Sequence, residues 1–315
     1  MNLSDITKIN FGSNNISAVY NGGIKLWPSG SEASNKVMKF TTTDGNTWDT
    51  VMSAYTADNR LITPVKKDAT GWTYDEEVEY IKGPNYNFGI GTNLLTFEGF
   101  PKAVKFKRAC NVFYGNNKCT DISTANMDFS ECTTMDSMFG GCSKLASLDV
   151  SNWDTSKVIN MERVFFACGS LTTLDVSNFN TSQVTNMTGM FYFCGGLTTL
   201  DVSNFNTSQV TKMENMFNYC TKLTSLDLSN FNTSQVTNMQ SMFEECTKLI
   251  SLNLSNWDTS QVTETTNMFR YSRNLTTITM KNCSQATVDK IRAAVEAAGY
   301  LNNVDFIVDD GITLD

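Results

Sequence analysis

Histidine is missing from all 315 residues of the sequence. Histidine is the usual general base near neutral pH and the commonest zinc ligand, so its absence removes Ser-His and Cys-His nucleophile pairs. The sequence also has no GxxxxGK[ST] loop, no GxGxxG motif and no CxxC motif. We therefore expect a protein that is not an enzyme and that uses neither a metal nor another cofactor.

Excess basic charge and long apolar runs are lacking as well. The formal net charge is −8, which argues against a nucleic-acid partner because phosphate binding needs clustered lysine and arginine. No apolar run approaches the roughly 20 residues that span a bilayer, so we expect no membrane insertion. The start "MNLSDITKINFG" has no basic head followed by an apolar stretch, which predicts a chain made in a cytoplasm without a secretory signal.

A 26-residue period dominates the second half of the chain. Leucine recurs at this spacing as Leu148, Leu174, Leu200, Leu226 and Leu252, followed by Ile278. Cysteine recurs in the same register as Cys142, Cys168, Cys194, Cys220 and Cys246. An unbroken period of this length predicts a solenoid whose coils stack and bury one continuous core.

Each repeat predicts a strand followed by a short helix. In "TLDVS" apolar and polar residues alternate, which is typical of a strand. Met213, Phe217 and Cys220 then fall on one face of a helix, and Thr211 with Glu214 has the spacing of a capping box. We therefore predict an α/β solenoid of the leucine-rich-repeat type, with one parallel strand and one short helix in each 26-residue coil.

Three further columns share this period. The cysteines are interpreted as small buried hydrophobic residues, with a metal ladder or disulfides as the alternative. An asparagine column is expected to bind backbone groups of adjacent coils, and it comprises Asn152, Asn178, Asn204, Asn230 and Asn256. An aromatic column is expected to stack under the turn, with an exposed binding strip as the alternative. It comprises Trp153, Phe179, Phe205, Phe231 and Trp257.

An acidic column lies on the outward side of the predicted strands. It comprises Asp149, Asp175, Asp201 and Asp227, with the small hydroxyl side chains of Ser177, Ser203 and Ser229 beside it. Like charges in a row repel one another, so the column needs an explanation. It is either a solvated face that blocks unwanted sheet stacking or a surface that binds cations or a basic partner. These seven residues form the candidate partner-binding face.

The pattern "LxxLDVSNFNTSQVTNMxxMFxxC" resembles the BspA-like leucine-rich repeats of bacterial surface proteins. The resemblance covers residues 122–280, although the asparagine comes one residue earlier than in the ordinary leucine-rich repeat. It implies surface exposure and adhesion to proteins or host cells. It implies no catalytic residues.

The two ends of the solenoid need covering. The stretch "CSQATVDKIRAAVEAAGY" predicts a helix and "VDFIV" a final strand, so residues 281–315 are predicted to form a C-terminal cap. At the other end, residues 37–115 are predicted to form a small β-rich domain and N-terminal cap, and the solenoid to span 116–280. All four prolines lie at or before Pro101, which supports this boundary.

Residues 1–30 predict a small β anchoring module, joined by a linker at 31–36. Its stretch "VYNGGIKLW" resembles a short module of tail and capsid appendage proteins of gut bacteriophages. The resemblance implies attachment to a virion. The candidate anchoring residues are Ile6, Ile9, Phe11, Val19, Tyr20, Leu26 and Trp27.

The leading functional hypothesis is a non-enzymatic bacteriophage structural protein, either a head fibre or decoration or a tail component. It would be made in the host cytoplasm and located on the virion, where homo-oligomers are possible. Residues 1–30 would bind other virion proteins, and the solenoid would bind a host-surface protein or glycan. The alternative is a bacterial cell-surface adhesin of the BspA-like type. A glycoside hydrolase with paired carboxylates is a third hypothesis.

Overall fold

The computed structural model describes Phe106 and residues 108–122, 124 and 127–314 with their side chains. N-terminal to these residues it describes only the backbone of short strands. Those strands are β1 (Val19–Asn21), β2 (Ile24–Trp27), β3 (Val37–Thr41), β4 (Thr47–Val51), β5 (Ala54–Tyr55), β6 (Leu61–Ile62), β7 (Lys66–Asp68), β8 (Gly71–Thr73), β9 (Val78–Glu79), β10 (Leu94–Leu95) and β11 (Val104–Arg108). The first eight pair as four antiparallel hairpins: β1 with β2, β3 with β4, β5 with β6, and β7 with β8.

From β9 onward the described pairing is parallel. The later elements are β12 (Asp121–Ile122), β13 (Met127–Asp128), β14 (Ser147–Leu148), β15 (Ser225–Asp227), β16 (Ser251–Asn253), β17 (Thr277–Met280), helix α1 (Gln285–Ala297), a 3-10 turn (Leu301–Asn303) and β18 (Asp305–Val308). They form parallel sheets in the orders β9-β11-β13, β10-β12-β14 and β15-β16-β17-β18. Strands β10 and β12 pair across residue 116, which is the predicted start of the solenoid.

The register of these sheets follows the 26-residue period. Leu226 pairs with Leu252, and Leu252 pairs with Ile278. A second line of single-residue parallel bridges connects seven coils, at Arg108, Thr134, Asn160, Asn186, Lys212, Asn238 and Glu264. The predicted parallel solenoid of 26-residue coils is therefore confirmed.

The helix predicted in each coil is wrong, because residues 162–167 and their equivalents form successive turns. Alternate N–H groups of this segment donate to the next coil. Met213 N donates to Asn238 O at 3.2 Å and Phe217 N to Met242 O at 3.0 Å. In a helix both groups would donate to a carbonyl four residues earlier in the same segment. The side chain of Thr211, assigned to a capping box, instead donates to Thr185 O of the preceding coil.

Two residues with a left-handed backbone, four positions apart, shape this segment in every coil. The pairs are Asn111 and Gly115, Ser137 and Gly141, Arg163 and Ala167, Gly189 and Phe193, Asn215 and Tyr219, Ser241 and Glu245, and Asn267 and Tyr271. A left-handed residue interrupts a right-handed helix, and most of these residues are not glycine. The left-handed residues therefore lie in the same segment as the backbone hydrogen bonds between coils. We call the surface formed by these segments the turn side.

Two columns of aromatic rings run through the core. In one, Trp153 stacks on Phe179 with centroids 5.7 Å apart, and Phe179 stacks on Phe205 at 6.5 Å. In the other, Phe191 and Phe217 are 5.8 Å apart. These rings are buried, so the predicted stacking under the turn is confirmed.

The cysteine and asparagine columns hydrogen-bond to neighbouring coils. All nine cysteines are buried and free, and Cys194 Sγ donates to Phe165 O at 3.0 Å. Burial raises the pKa of Cys194 to about 12. Asn204 Nδ2 donates to Val176 O and to Phe179 O, both at 2.9 Å. The asparagine column is therefore structural, as predicted.

Helix α1 packs beside the last coil. The side chain of Ser284 accepts a hydrogen bond from Thr287 N at its start, and Ile291 and Val295 are buried against the core. Lys290 Nζ donates to two carbonyls of the last coil. Beyond the helix, β18 adds a further parallel strand to β17. In the part of the chain described here, no helix is long and apolar enough to cross a membrane.

Candidate binding faces

The acidic column lies exposed, as predicted, along the side of the solenoid that carries β14, β15 and β16. We call this side the strand side. In Asp149, Asp175, Asp201 and Asp227, Oδ1 accepts a hydrogen bond at 2.9 Å from the backbone N–H of the serine two residues later. Each aspartate thus closes a small turn two residues beyond it, directly after the leucine of its coil. Asn253 has the same role in the next coil, where it accepts from Ser255 N at 3.2 Å. The column therefore has a structural role and remains open to solvent.

These carboxyl groups are ionised at neutral pH. Hydrogen bonds from the side chain and N–H of the following serine lower the pKa of Asp149 and Asp175 below 3.8, and those from Ser203 do the same for Asp201. Burial raises the pKa of Asp227, but hydrogen bonds from Ser229 and Asn253 outweigh it. A glycosidase acid needs a raised pKa instead. None of these four groups suits that role.

The candidate serines line the same face. Ser177 and Ser203 are exposed and Ser229 is half-buried. At the N-terminal end of the acidic column, a groove crosses three coils and is lined by Asp121, Asp149 and Asp175 together with Leu148 and Leu174. The structure thus brings the acidic column and the serines together on one strand-side face.

The candidate anchoring residues are only partly described. Val19 and Tyr20 lie on β1, and Leu26 and Trp27 lie on β2, with the two strands forming an antiparallel hairpin. Ile6, Ile9 and Phe11 lie outside the described residues. Their anchoring role stays a prediction.

The turn side carries an aromatic surface that the sequence reasoning missed. It comprises Phe166, Tyr192, Phe193 and Tyr219, and we call these four residues the aromatic surface. Ring centroids are 5.3 Å apart for Phe166 and Tyr192, 4.4 Å for Tyr192 and Phe193, and 4.3 Å for Phe193 and Tyr219. Phe193 is 38% exposed although it is large and apolar.

A signal for this surface is present in the sequence. The stretches "FFAC", "FYFC" and "FNYC" place extra aromatic residues between the buried phenylalanine and the cysteine of successive coils. The helix predicted for this segment gave no reason to place these aromatic residues on one surface. The left-handed residues Ala167, Phe193 and Tyr219 bring them to the surface.

The described residues offer no cluster of three or more side chains able to hold a metal ion. The periodic cysteines Cys142, Cys168, Cys194, Cys220 and Cys246 lie buried in successive coils, and burial raises the pKa of Cys142 and Cys246 to about 12. A thiolate, the form that binds metals, is therefore disfavoured at these positions.

Comparison with known proteins gives one family and one solved structure. A crystal structure of a leucine-rich repeat protein from Bacteroides ovatus is 14% identical, with coverage of 80% of this chain and 79% of that chain and a TM-score of 0.24. No curated protein matches the sequence. A family model described as "Mycoplasma protein of unknown function, DUF285" matches residues 107–199 and 193–304. These two matches together cover more than half of the chain and coincide with the coils and helix α1. The chain belongs to the DUF285 family.

Proposed function

We propose that the chain is a non-enzymatic recognition protein, in which the repeated coils present an adhesin-like surface to a protein or glycan of a host. The observation that carries the proposal is the strand-side face, where four ionised aspartates and their serines are held at a fixed spacing. Such a face offers hydrogen-bond acceptors and negative charge in a regular array. A partner with basic or hydroxyl groups would complement it.

Rigidity supports this role. The aspartates are fixed by turns, and the core below them is filled by stacked aromatic rings. A rigid face loses little conformational freedom when a partner binds. The resemblance to BspA-like repeats agrees with this role at the level of the repeat pattern.

The experiment compares binding of the labelled full chain to host cells with that of a variant carrying Asp175→Asn, Asp201→Asn and Asp227→Asn. Asparagine keeps the turn, as Asn253 shows, so only charge is removed. We expect binding to weaken at least about tenfold. The control is Asp154→Asn, because Asp154 makes the same turn with Ser156 at a different position of the coil. Unchanged binding of the triple variant would exclude the acidic column as the binding face.

The location of the protein remains part of the proposal. Display on a bacterial surface agrees with the repeat pattern, whereas neither the matched family nor the matched structure supports the bacteriophage module. In both cases residues 37–115 and 281–315 would cover the ends of the solenoid. Quantitative mass spectrometry of purified phage particles and of bacterial envelopes decides between the two. A fixed copy number in particles would establish the virion location, and detection in envelopes alone would establish the adhesin.

A further inference from the structure

The sheet of the C-terminal coils ends at β18. This strand pairs with β17 in a continuous parallel register, from Thr277 opposite Asp305 to Met280 opposite Val308. Among the described residues it is the last strand of the order β15-β16-β17-β18. In that part of the chain, one edge of β18 therefore has no strand beside it, and we call it the open edge.

The backbone groups of β18 alternate between its neighbour and the open edge. Asp305 N donates to Thr276 O at 2.8 Å. In a parallel pair, every second residue directs both its N–H and its C=O to the same neighbouring strand. Asp305 and Ile307 therefore bind β17. The N–H and C=O of Phe306 and the N–H of Val308 point to the open edge.

The chain that follows β18 continues beyond the strand and leaves this edge uncovered. Asn282 N donates to Asp309 Oδ2, and Gln285 Nε2 donates to Thr313 O at 2.9 Å. Gln285 and Thr313 are 28 residues apart, which is also the offset between paired residues of β17 and β18. Residues 309–313 therefore stack on the segment that follows β17, as the start of a further coil.

The side chains of β18 give the open edge its chemistry. Ile307 is 45% exposed, and Asp305 is exposed as well. Within the described residues no ion pair involves Asp305, whereas Asp309 pairs with Lys281 at 3.5 Å. Lys281 Nζ also donates to Val308 O, which is therefore already occupied. Native proteins commonly protect a sheet edge with lysine, proline or a β-bulge, and β18 contains none of these.

We propose that the open edge of β18 binds an extended segment of a partner protein, which adds one strand to the sheet. Its backbone donates to Phe306 O and accepts from the N–H groups of Phe306 and Val308. The segment places a basic residue beside Asp305 and an apolar β-branched residue beside Ile307, because such cross-strand pairs stabilise a sheet.

Charge favours such a segment over a second copy of this chain. The chain has a net charge of −8, and a second copy would bring acidic residues to both sides of the contact. The site lies at the C-terminal end of the solenoid. It includes none of the seven residues of the candidate partner-binding face.

The first test is a fluorescence anisotropy titration of the full chain with a labelled peptide whose core is Lys-Val-Val-Thr. A matched peptide is N-methylated at these four residues, so it keeps the side chains and charge but lacks the N–H groups. We expect the methylated peptide to bind at least about tenfold more weakly. Equal binding of the two peptides, or no binding of the unmodified peptide, would overturn the proposal.

Amide hydrogen exchange measured by NMR locates the bound peptide. The N–H groups of Phe306 and Val308 should exchange at least about fivefold more slowly when the peptide is bound. The N–H of Ile307 is the internal control, because it already binds β17. Unchanged exchange at Phe306 and Val308 in the presence of bound peptide would exclude the open edge.

A charge exchange tests the predicted pairing. Asp305→Asn should weaken binding about threefold, because the pair is exposed. Asp201→Asn makes the same charge change on the strand side and should bind as the unmodified chain does. A peptide with glutamate in place of lysine should bind Asp305→Lys better than it binds the unmodified chain. An equal loss in the Asp201→Asn control, or no gain in the exchanged pair, would exclude the pairing at Asp305.

Sedimentation velocity of the full chain tests the other occupant. We expect no dimer that the Lys-Val-Val-Thr peptide dissociates. Such a dimer would identify a second copy as the occupant of the open edge and would overturn the proposal. None of these outcomes bears on the strand-side proposal.

Discussion

The middle coils and the C-terminal coils have nearly the same sequence but different backbone pairing. At the C-terminal end, Leu228 N donates to Asn253 O at 2.8 Å and Leu254 N donates to Thr279 O at 2.7 Å, which extends the sheet of β15 to β18. In the middle, residues 171–176 and 197–202 form no regular strand. There the corresponding side of the coils includes a long bond of 3.4 Å between Thr198 N and Thr172 O.

Asparagine side chains supply contacts between the middle coils. Asn178, Asn204 and Asn230 each donate to two carbonyl groups of the preceding coil. Asn256, in the C-terminal region, donates to Ser229 O alone and has a left-handed backbone with φ of 66°. The asparagine column therefore makes fewer hydrogen bonds to the preceding coil at Asn256, where the backbone beside it forms a regular sheet.

The residue before the irregular segment 197–202 has no side chain. Lys222 and Lys248 precede regular strands, whereas Gly196 precedes an irregular segment. A Cβ added at Gly196 would lie 2.4 Å from Leu171 O and 2.6 Å from Gly169 O. The chain therefore approaches the preceding coil at Gly196 more closely than any residue with a side chain allows. Ser170 precedes the other irregular segment, 171–176, so this close approach is particular to the coil that contains Gly196.

The largest effect is expected for Gly196→Ala. The new methyl group collides with two backbone carbonyls, so the free energy of unfolding should fall by about 3 kcal/mol in urea denaturation. Lys222→Ala is the control in a regular coil and should change it by less than about 0.5 kcal/mol. Equal stability of the two variants would show that the close approach at Gly196 is not required.

The next effect concerns the asparagine column. Asn204→Ala leaves Phe179 O without its side-chain donor, so we expect a loss of about 2 kcal/mol in the same denaturation experiment. Asn256→Gly should cost less than about 0.5 kcal/mol, because glycine suits the left-handed backbone and the two side-chain hydrogen bonds that are lost are exposed. If both variants lose the same stability, the column has one role throughout.

The cysteine column should not distinguish the two regions. Cys194→Ala in the middle and Cys246→Ala near the end each remove a donor to a phenylalanine carbonyl and leave a small cavity, at a cost of about 1.5 kcal/mol. Serine should be milder at both positions, because Ser272 already occupies this column and donates to Phe243 O at 2.5 Å. Thermal unfolding measures the order of stability of these variants. A serine variant that is less stable than the alanine variant at the same position would contradict the prediction.

The smallest effect is the pH dependence of the acidic column. The pKa of Asp201 is lowered in the folded chain, so its contribution to stability is present above pH 3.8 and is lost as the pH falls below that value. Asp201→Asn should remove this contribution, which is less than about 0.5 kcal/mol because the group is exposed. Unfolding curves above and below pH 3.8 measure it. A difference that grows with acidity would contradict the sign.

The sequence predicts the solenoid because its period determines which residues are equivalent. Leucines 26 residues apart can pair only if the coils stack in parallel, and Leu226, Leu252 and Ile278 do so. The same period places the acidic column on one side. Both inferences need only spacing and alternation of apolar residues.

The turn side could not be predicted in this way. Met213, Phe217 and Cys220 are buried both in a helix and in the observed turns, so their spacing does not separate the two structures. Backbone hydrogen bonds between coils decide between a helix and turns, and these bonds depend on left-handed residues such as Asn215 and Tyr219. The aromatic surface depends on the same backbone. Its residues can therefore be identified in the sequence, whereas their common position on the surface cannot.

The constant register of the coils gives the protein an adjustable length. Removal of residues 200–225 would join Thr199 to Leu226, and every remaining coil would meet a neighbour of the same chemistry. Duplication of the same 26 residues would lengthen the rod by one strand spacing, about 4.8 Å. Genetic recombination between such similar repeats can therefore change how far the solenoid reaches in whole steps, without the need to remake either end.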